Sequence, residues 1–162
     1  MKTTVSLSVL ALLLLALPAA AQSYDWSHVG SVGITQGGSG FVFTGPTFTF
    51  AASRTGTLIA RYNVTNTYGA GVSKTPPWTT FTLSYTDNSS SGAVTARLMQ
   101  VDKCSNAESQ ICAITSSDGT SCNTCTFGSS TFDFANNFYY VDARITRTST
   151  SATEALHSVG IN

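Results

Sequence analysis

Residues 80–87 read TFTLSYTD, in which Phe81, Leu83 and Tyr85 alternate strictly with hydroxyl-bearing neighbours. Alternation of period two puts one set of side chains on each face of an extended strand, so one face is greasy and the other wet. TLIARYNV (residues 57–64) repeats the pattern: Leu58, Ala60, Tyr62 and Val64 oppose Ile59, Arg61 and Asn63. YYVDARITR (residues 139–147) does so again, with Tyr139, Val141, Ala143 and Ile145 on the inner set. Its outer set is Tyr140, Asp142, Arg144 and Thr146. Strands wetted on one side belong to antiparallel sheets, and two such sheets must press their apolar faces together. No helical period runs for three turns anywhere after residue 22.

Strands are expected at 29–34, 40–44, 47–51, 58–65, 81–87, 93–101, 110–115, 122–127, 138–146 and 157–161. Turn-forming stretches separate them: QGGSG, TGPT, YGAGVSKTPP, DNSSSG, SSDG and FANN. The expected fold is all-β: an antiparallel β-sandwich, jelly-roll-like, of about eight to ten short strands. Residues 22–162 read as one such domain with no linker. HVGSVGI near the start and HSVGI at the end (from His28 and from His157) echo each other. First and last strands lying side by side would fit that echo.

The N-terminus decides how the cysteines are read. Lys2, an apolar run from Val9 to Leu17, Pro18 and Ala19-Ala20-Ala21 follow the order of a secretory leader. The run is shorter than the roughly 20 residues a membrane span needs. Residues 1–21 are therefore expected to be a signal peptide, with the remainder secreted or periplasmic and no membrane span left after cleavage. In an oxidising compartment the even set Cys104, Cys112, Cys122 and Cys125 reads as a disulfide framework. Zinc would want a second Cys-x-x-Cys or a histidine pair, whereas His28 and His157 lie far from the cysteines. Asp118-Gly119 is a strong two-residue hairpin signal. Counting outward from it places Cys112 opposite Cys125 and leaves Cys104 to bridge Cys122. Cys122 and Cys125, three apart, should face opposite ways. The rival pairing is Cys104–Cys112 with Cys122–Cys125.

Only 10% of the residues are charged and the formal net charge is +0, with no basic stripe to displace nucleic-acid counterions. Chemistry is scarce. GGSG at 37–40 is not a nucleophile elbow, and neither histidine sits in a nucleophile motif. Asp87 and Asp142 read as solvated surface rather than a glycosidase pair. Oxygen-rich TDNSSSG and SSDGTS lack the spacing of a calcium loop. Asn63-Val64-Thr65 and Asn88-Ser89-Ser90 fit the glycosylation triplet. No cofactor is expected.

Aromatic residues remain. Trp78 follows Pro76-Pro77 in a long loop that begins near Tyr68; Tyr24 and Trp26 stand near residue 22. Trp78, Tyr68 and Tyr140 are candidate platforms for stacking on sugar rings, although a core role capping the sandwich end is the simpler account of Trp78. VTARLMQVD, ICAITSSDG and YYVDARITRTSTSATEALHSVGI resemble, over residues 78–161, a loose group of uncharacterised exported bacterial β-sandwich proteins. That resemblance implies an exported β-sandwich and no catalytic residues; Cys104 and Cys122 fall outside its pattern. The leading functional expectation is a non-enzymatic protein acting by surface contact in a structural, adhesive or assembly role. The alternative is a carbohydrate-binding module using exposed aromatics, and a third is an enzyme without a recognisable motif. The expected partners are a glycan or a second copy of the chain.

Overall fold

A computed structural model describes residues 25–36, 40–68 and 75–162; the expected leader, Tyr24 and most of GGSG lie outside them. Among the described residues eleven strands follow in order: β1 (Trp26–Val29), β2 (Ile34–Thr35), β3 (Phe41–Thr44), β4 (Thr47–Phe50), β5 (Gly56–Val64) and β6 (Thr80–Asp87). Then come β7 (Gly92–Asp102), β8 (Glu108–Thr115), β9 (Gly119–Thr126), β10 (Asn137–Arg147) and β11 (Ala155–Ile161). Sheet I has the order β3-β4-β11-β6-β9, with β1 also paired to β11; sheet II has the order β2-β5-β10-β7-β8. Every pairing is antiparallel. The chain is an antiparallel β-sandwich.

Alternation explains the packing. Phe81, Leu83 and Tyr85 of sheet I and Leu58, Val94, Leu98, Val141 and Ile145 of sheet II are all buried in one cluster. Each such side chain withdrawn from water contributes on the order of 1.5–3 kcal/mol. The echo of HVGSVGI and HSVGI has a structural counterpart: β1 pairs with β11, His28 opposite Val159, and β11 also pairs with β6 in the middle of sheet I.

The expected strand 29–34 is instead cut by a 3₁₀ turn at Gly30–Val32, and the chain crosses there from sheet I to sheet II. Gly30 permits the crossing because a Cβ at that position would run into the Leu156 carbonyl. The Tyr62 hydroxyl donates to the Gly30 carbonyl at 2.7 Å and ties the turn to β5.

A second crossing corrects the hairpin expected at Asp118-Gly119. The strands on either side, β8 and β9, are in different sheets: β8 pairs with β7 and β9 with β6. The turn is an arch over the open edge of the sandwich, left through Gly119 at φ 113° and tied down by the Ser117 backbone N–H donating to the Tyr85 hydroxyl at 3.0 Å. Equal counting from the turn still brings Cys112 and Cys125 together, but across the core rather than along a ladder. Their disulfide spans 6.2 Å between Cα atoms and joins one edge strand of each sheet. Cys112 is opposite buried Leu98 and Cys125 is opposite buried Phe81, so both sulfurs point inward.

The second expected bridge is not formed. Cys104 and Cys122 are both exposed and free. Cys122, three residues from Cys125, faces outward from sheet I, as strand parity requires. Cys104 lies in the turn after β7, where its backbone N–H donates to Asp102 at 3.0 Å. The rival pairing, Cys104–Cys112 with Cys122–Cys125, is excluded by the same geometry.

Closing a 13-residue separation stabilises the fold by about 3 kcal/mol on the chain-entropy account. Replacing Cys112 and Cys125 together by alanine is expected to lower the melting temperature by roughly 10 °C. The same change at Cys104 and Cys122 should leave it within about 2 °C. Differential scanning calorimetry on both variants checks this, and an equal loss in the two would contradict it.

Candidate functional site

Two polar clusters interrupt the apolar pattern, and their exposure separates them. The first closes one end of the sandwich. Asp87, expected on the surface, is buried because it continues the inward set of Phe81, Leu83 and Tyr85. It accepts a short hydrogen bond from the Ser116 hydroxyl of the arch. Glu154 is also buried, and neither carboxylate oxygen has a hydrogen-bond partner among the described residues. Arg147 Nε stands 3.9 Å from it but donates to the Ser149 carbonyl, while its Nη2 donates to the Thr150 carbonyl. Burial raises the Glu154 carboxyl above the usual range, the Asp87 charge adds to that rise and Arg147 opposes it. This cluster is sealed, so it is a structural feature and not a binding site.

The second cluster is open and lies on the outer face of sheet II. Register draws it directly. Ile34, Arg61, Asp142 and Arg97 stand side by side across β2, β5, β10 and β7. The neighbouring row holds Asn63, Tyr140 and Met99, and Phe138 follows two residues along β10, facing the same way. Asp142, the other aspartate expected at the surface, is buried beneath two guanidinium groups: Arg97 Nη2 at 2.6 Å and Arg144 Nη2 at 3.0 Å. Burial alone would raise the Asp142 carboxyl, yet hydrogen bonds from Arg144 and Arg97 together hold it below the usual range. Both arginines keep more than a third of their side chains exposed, at 35% and 39%.

Tyr140 is partly exposed, donates to Glu108 at 3.2 Å and lies under the Arg61 guanidinium at 5.3 Å. Phe138 is 60% exposed and carries Lys103 Nζ at 4.9 Å from its ring centre. Hollows open on both sides of Asn63. One, of about 390 Å³, is lined by Asn63, Thr65, Asn66, Phe134, Asn137 and Phe138 among others. The other, of about 330 Å³, includes His28, Ile34, Arg61 and Tyr62.

The three aromatic candidates fare differently. Tyr140 is on this face, as its parity requires. Trp78 is fully enclosed, with the rings of Phe132 at 5.1 Å and Phe134 at 6.3 Å edge-on to it. It therefore caps the sandwich end as core and is withdrawn as a sugar platform. Tyr68 is half-buried beyond the end of β5, with its backbone N–H donating to Asn66 at 2.9 Å. Phe138 lies within the expected strand 138–146, yet the outer set read from residues 139–147 starts at Tyr140 and leaves it out. The alternation Phe138, Tyr140, Asp142 was the available signal. His157 bonds threonine hydroxyls, Thr47 at 3.2 Å and Thr86 at 2.9 Å, on the outer face of sheet I.

The fold and this face together define a β-sandwich with an aromatic and guanidinium row on one outer sheet. Neither a family model nor a curated protein matches the chain. A solved structure similar to it is a family 11 carbohydrate-binding module from Clostridium thermocellum, in complex with a β-1,3-1,4-mixed-linked tetrasaccharide. The two share 9% identity at a TM-score of 0.41, over 85% of this chain and 87% of the other.

The two clusters titrate in opposite senses. Asp142, lowered, contributes stability that is present above the ordinary aspartate value of 3.8 and is lost as pH falls through its own lower value. Glu154, raised, contributes stability that is present below the ordinary glutamate value of 4.5 and is lost as pH climbs through its higher folded value. Glu154→Gln should therefore melt a few degrees above the parent at about pH 7 and close to it at about pH 4. Thermal melts across that range check this; a variant that melts lower at neutral pH would contradict it.

Proposed function

We propose that this protein is a carbohydrate-binding β-sandwich acting outside the cytoplasm, and that its ligand lies along the outer face of sheet II. The observation that carries the reading is the pairing of Phe138 and Tyr140. They face the same way on a central strand, roughly 7 Å apart along it, so neighbouring rings of one oligosaccharide can meet both. The C–H face of a pyranose is apolar and packs on an aromatic ring, while its hydroxyl rim needs donors and acceptors in the plane. Asn63, Arg61, Arg97 and Arg144 supply those groups around the two rings. A strand-borne row suits recognition because β10 is paired on both sides and holds its side chains at fixed spacing. Export is supported by the leader-like N-terminus together with a disulfide that persists in oxidising surroundings.

Affinity electrophoresis against a panel of soluble polysaccharides tests the reading. At least one polymer should retard the parent. Tyr140→Ala and Phe138→Ala should each weaken that retardation about fivefold to tenfold, corresponding to roughly 1–1.4 kcal/mol lost per ring. Replacing Cys104 and Cys122 should not change it. Retardation unaffected by either aromatic change would overturn the reading.

Self-assembly has one observation in its favour. At the edge of sheet I, β3 exposes Val42 and Phe43, the latter 45% accessible, beside a ladder edge that no described strand pairs and that invites another strand. Light scattering would then show dimers that Phe43→Lys abolishes; a monomer at millimolar concentration would remove this role.

A further inference from the structure

Resting on the reading above, we infer that the sugar recognised is acidic: a glycan bearing uronic-acid carboxylates, held by Arg61 with Arg144 and Arg97 beside it. The chain has a formal net charge of +0, yet its charges are unevenly placed. Arg97 and Arg144 converge on a single carboxylate of the sheet face, that of Asp142, and Arg61 stands beside it in the strand register. Two of them already neutralise it. Glu108, the other nearby acid, accepts from the Tyr140 hydroxyl and keeps its charge, so three guanidinium groups stand against two carboxylates and the face retains a positive excess.

Arg61 is left over. It is exposed, makes no ion pair among the described residues, and rests its guanidinium over Tyr140 at 5.3 Å. A guanidinium resting over a ring spends none of its N–H groups on that contact, so they stay free for a carboxylate, which can accept two of them. Arg61 also lines the hollow beside Asn63, at the border with the aromatic row. A sugar packed on the part of the Tyr140 ring that Arg61 leaves open would therefore bring a ring substituent to the Arg61 guanidinium.

A neutral glycan would leave that positive excess uncompensated, and desolvating an unpaired guanidinium is unfavourable. A uronate would satisfy it. Charge complementarity selects the carboxylate-bearing ligand, and the aromatic pair selects a sugar over a simple anion.

Isothermal titration of the full-length protein with oligogalacturonate tests this, alongside the same oligomer reduced at its carboxyl groups. Oligogalacturonate should bind at least tenfold more tightly than its reduced form. Arg61→Ala should remove most of that difference, while Arg61→Lys keeps part of it. Phe138→Ala should weaken both oligomers alike. Equal binding of the two oligomers, or a preference unchanged in Arg61→Ala, would overturn the acidic specificity while leaving glycan binding intact. Sulfated dextran binding as tightly as oligogalacturonate would also overturn it, by reducing the face to a general anion patch. Failure of every polysaccharide to bind would overturn both readings together.

Discussion

Everything in this molecule depends on two alternating surfaces meeting. Phe81, Leu83 and Tyr85 on one sheet and Leu98, Val141 and Ile145 on the other close on each other and exclude water. Once that contact is made, the parity of each strand is fixed, because a slip of one residue would turn its apolar set to solvent. The outer face then has no freedom either. Tyr140, Asp142 and Arg144 face outward because Tyr139, Val141 and Ala143 face in. The candidate binding row is thus a by-product of core packing, set out at strand spacing by residues that never touch a ligand.

Where parity was the whole question, the sequence was enough. It placed Tyr140 on the outer face, put Cys122 and Cys125 on opposite faces, and located nearly every strand within a few residues. Where the question was which sheet a strand joins, it was not. Asp118-Gly119 satisfies a tight hairpin as well as it satisfies an arch, and only packing of β9 against β6 decides between them. Cys112–Cys125 therefore came from sound counting on the wrong geometry. Gly30 is similar: VGSVGI reads as continuous strand, and the crossing depends on a close approach to Leu156 that no local pattern records.

Polar residues failed in the opposite direction. Asp87 and Asp142 read as surface because aspartate is rarely buried unpaired. Asp142 is buried because Arg97 and Arg144 arrive from register positions set by other contacts. Asp87 is buried because the arch brings Ser116 onto it. Trp78 shows the same dependence, since its enclosure comes from Phe132 and Phe134, more than fifty residues later. Long-range partners convert apparent surface into interior, and a linear reading has no access to them.

Titration of isotopically labelled protein with an oligosaccharide it binds, followed by amide and side-chain nuclear magnetic resonance shifts, examines the central claim most directly. The account predicts that the largest changes fall on Asn63, Arg61, Phe138 and Tyr140, with the outer face of sheet I silent. Changes concentrated on β3, β9 or the Trp78 end, with the β10 row undisturbed, would contradict it.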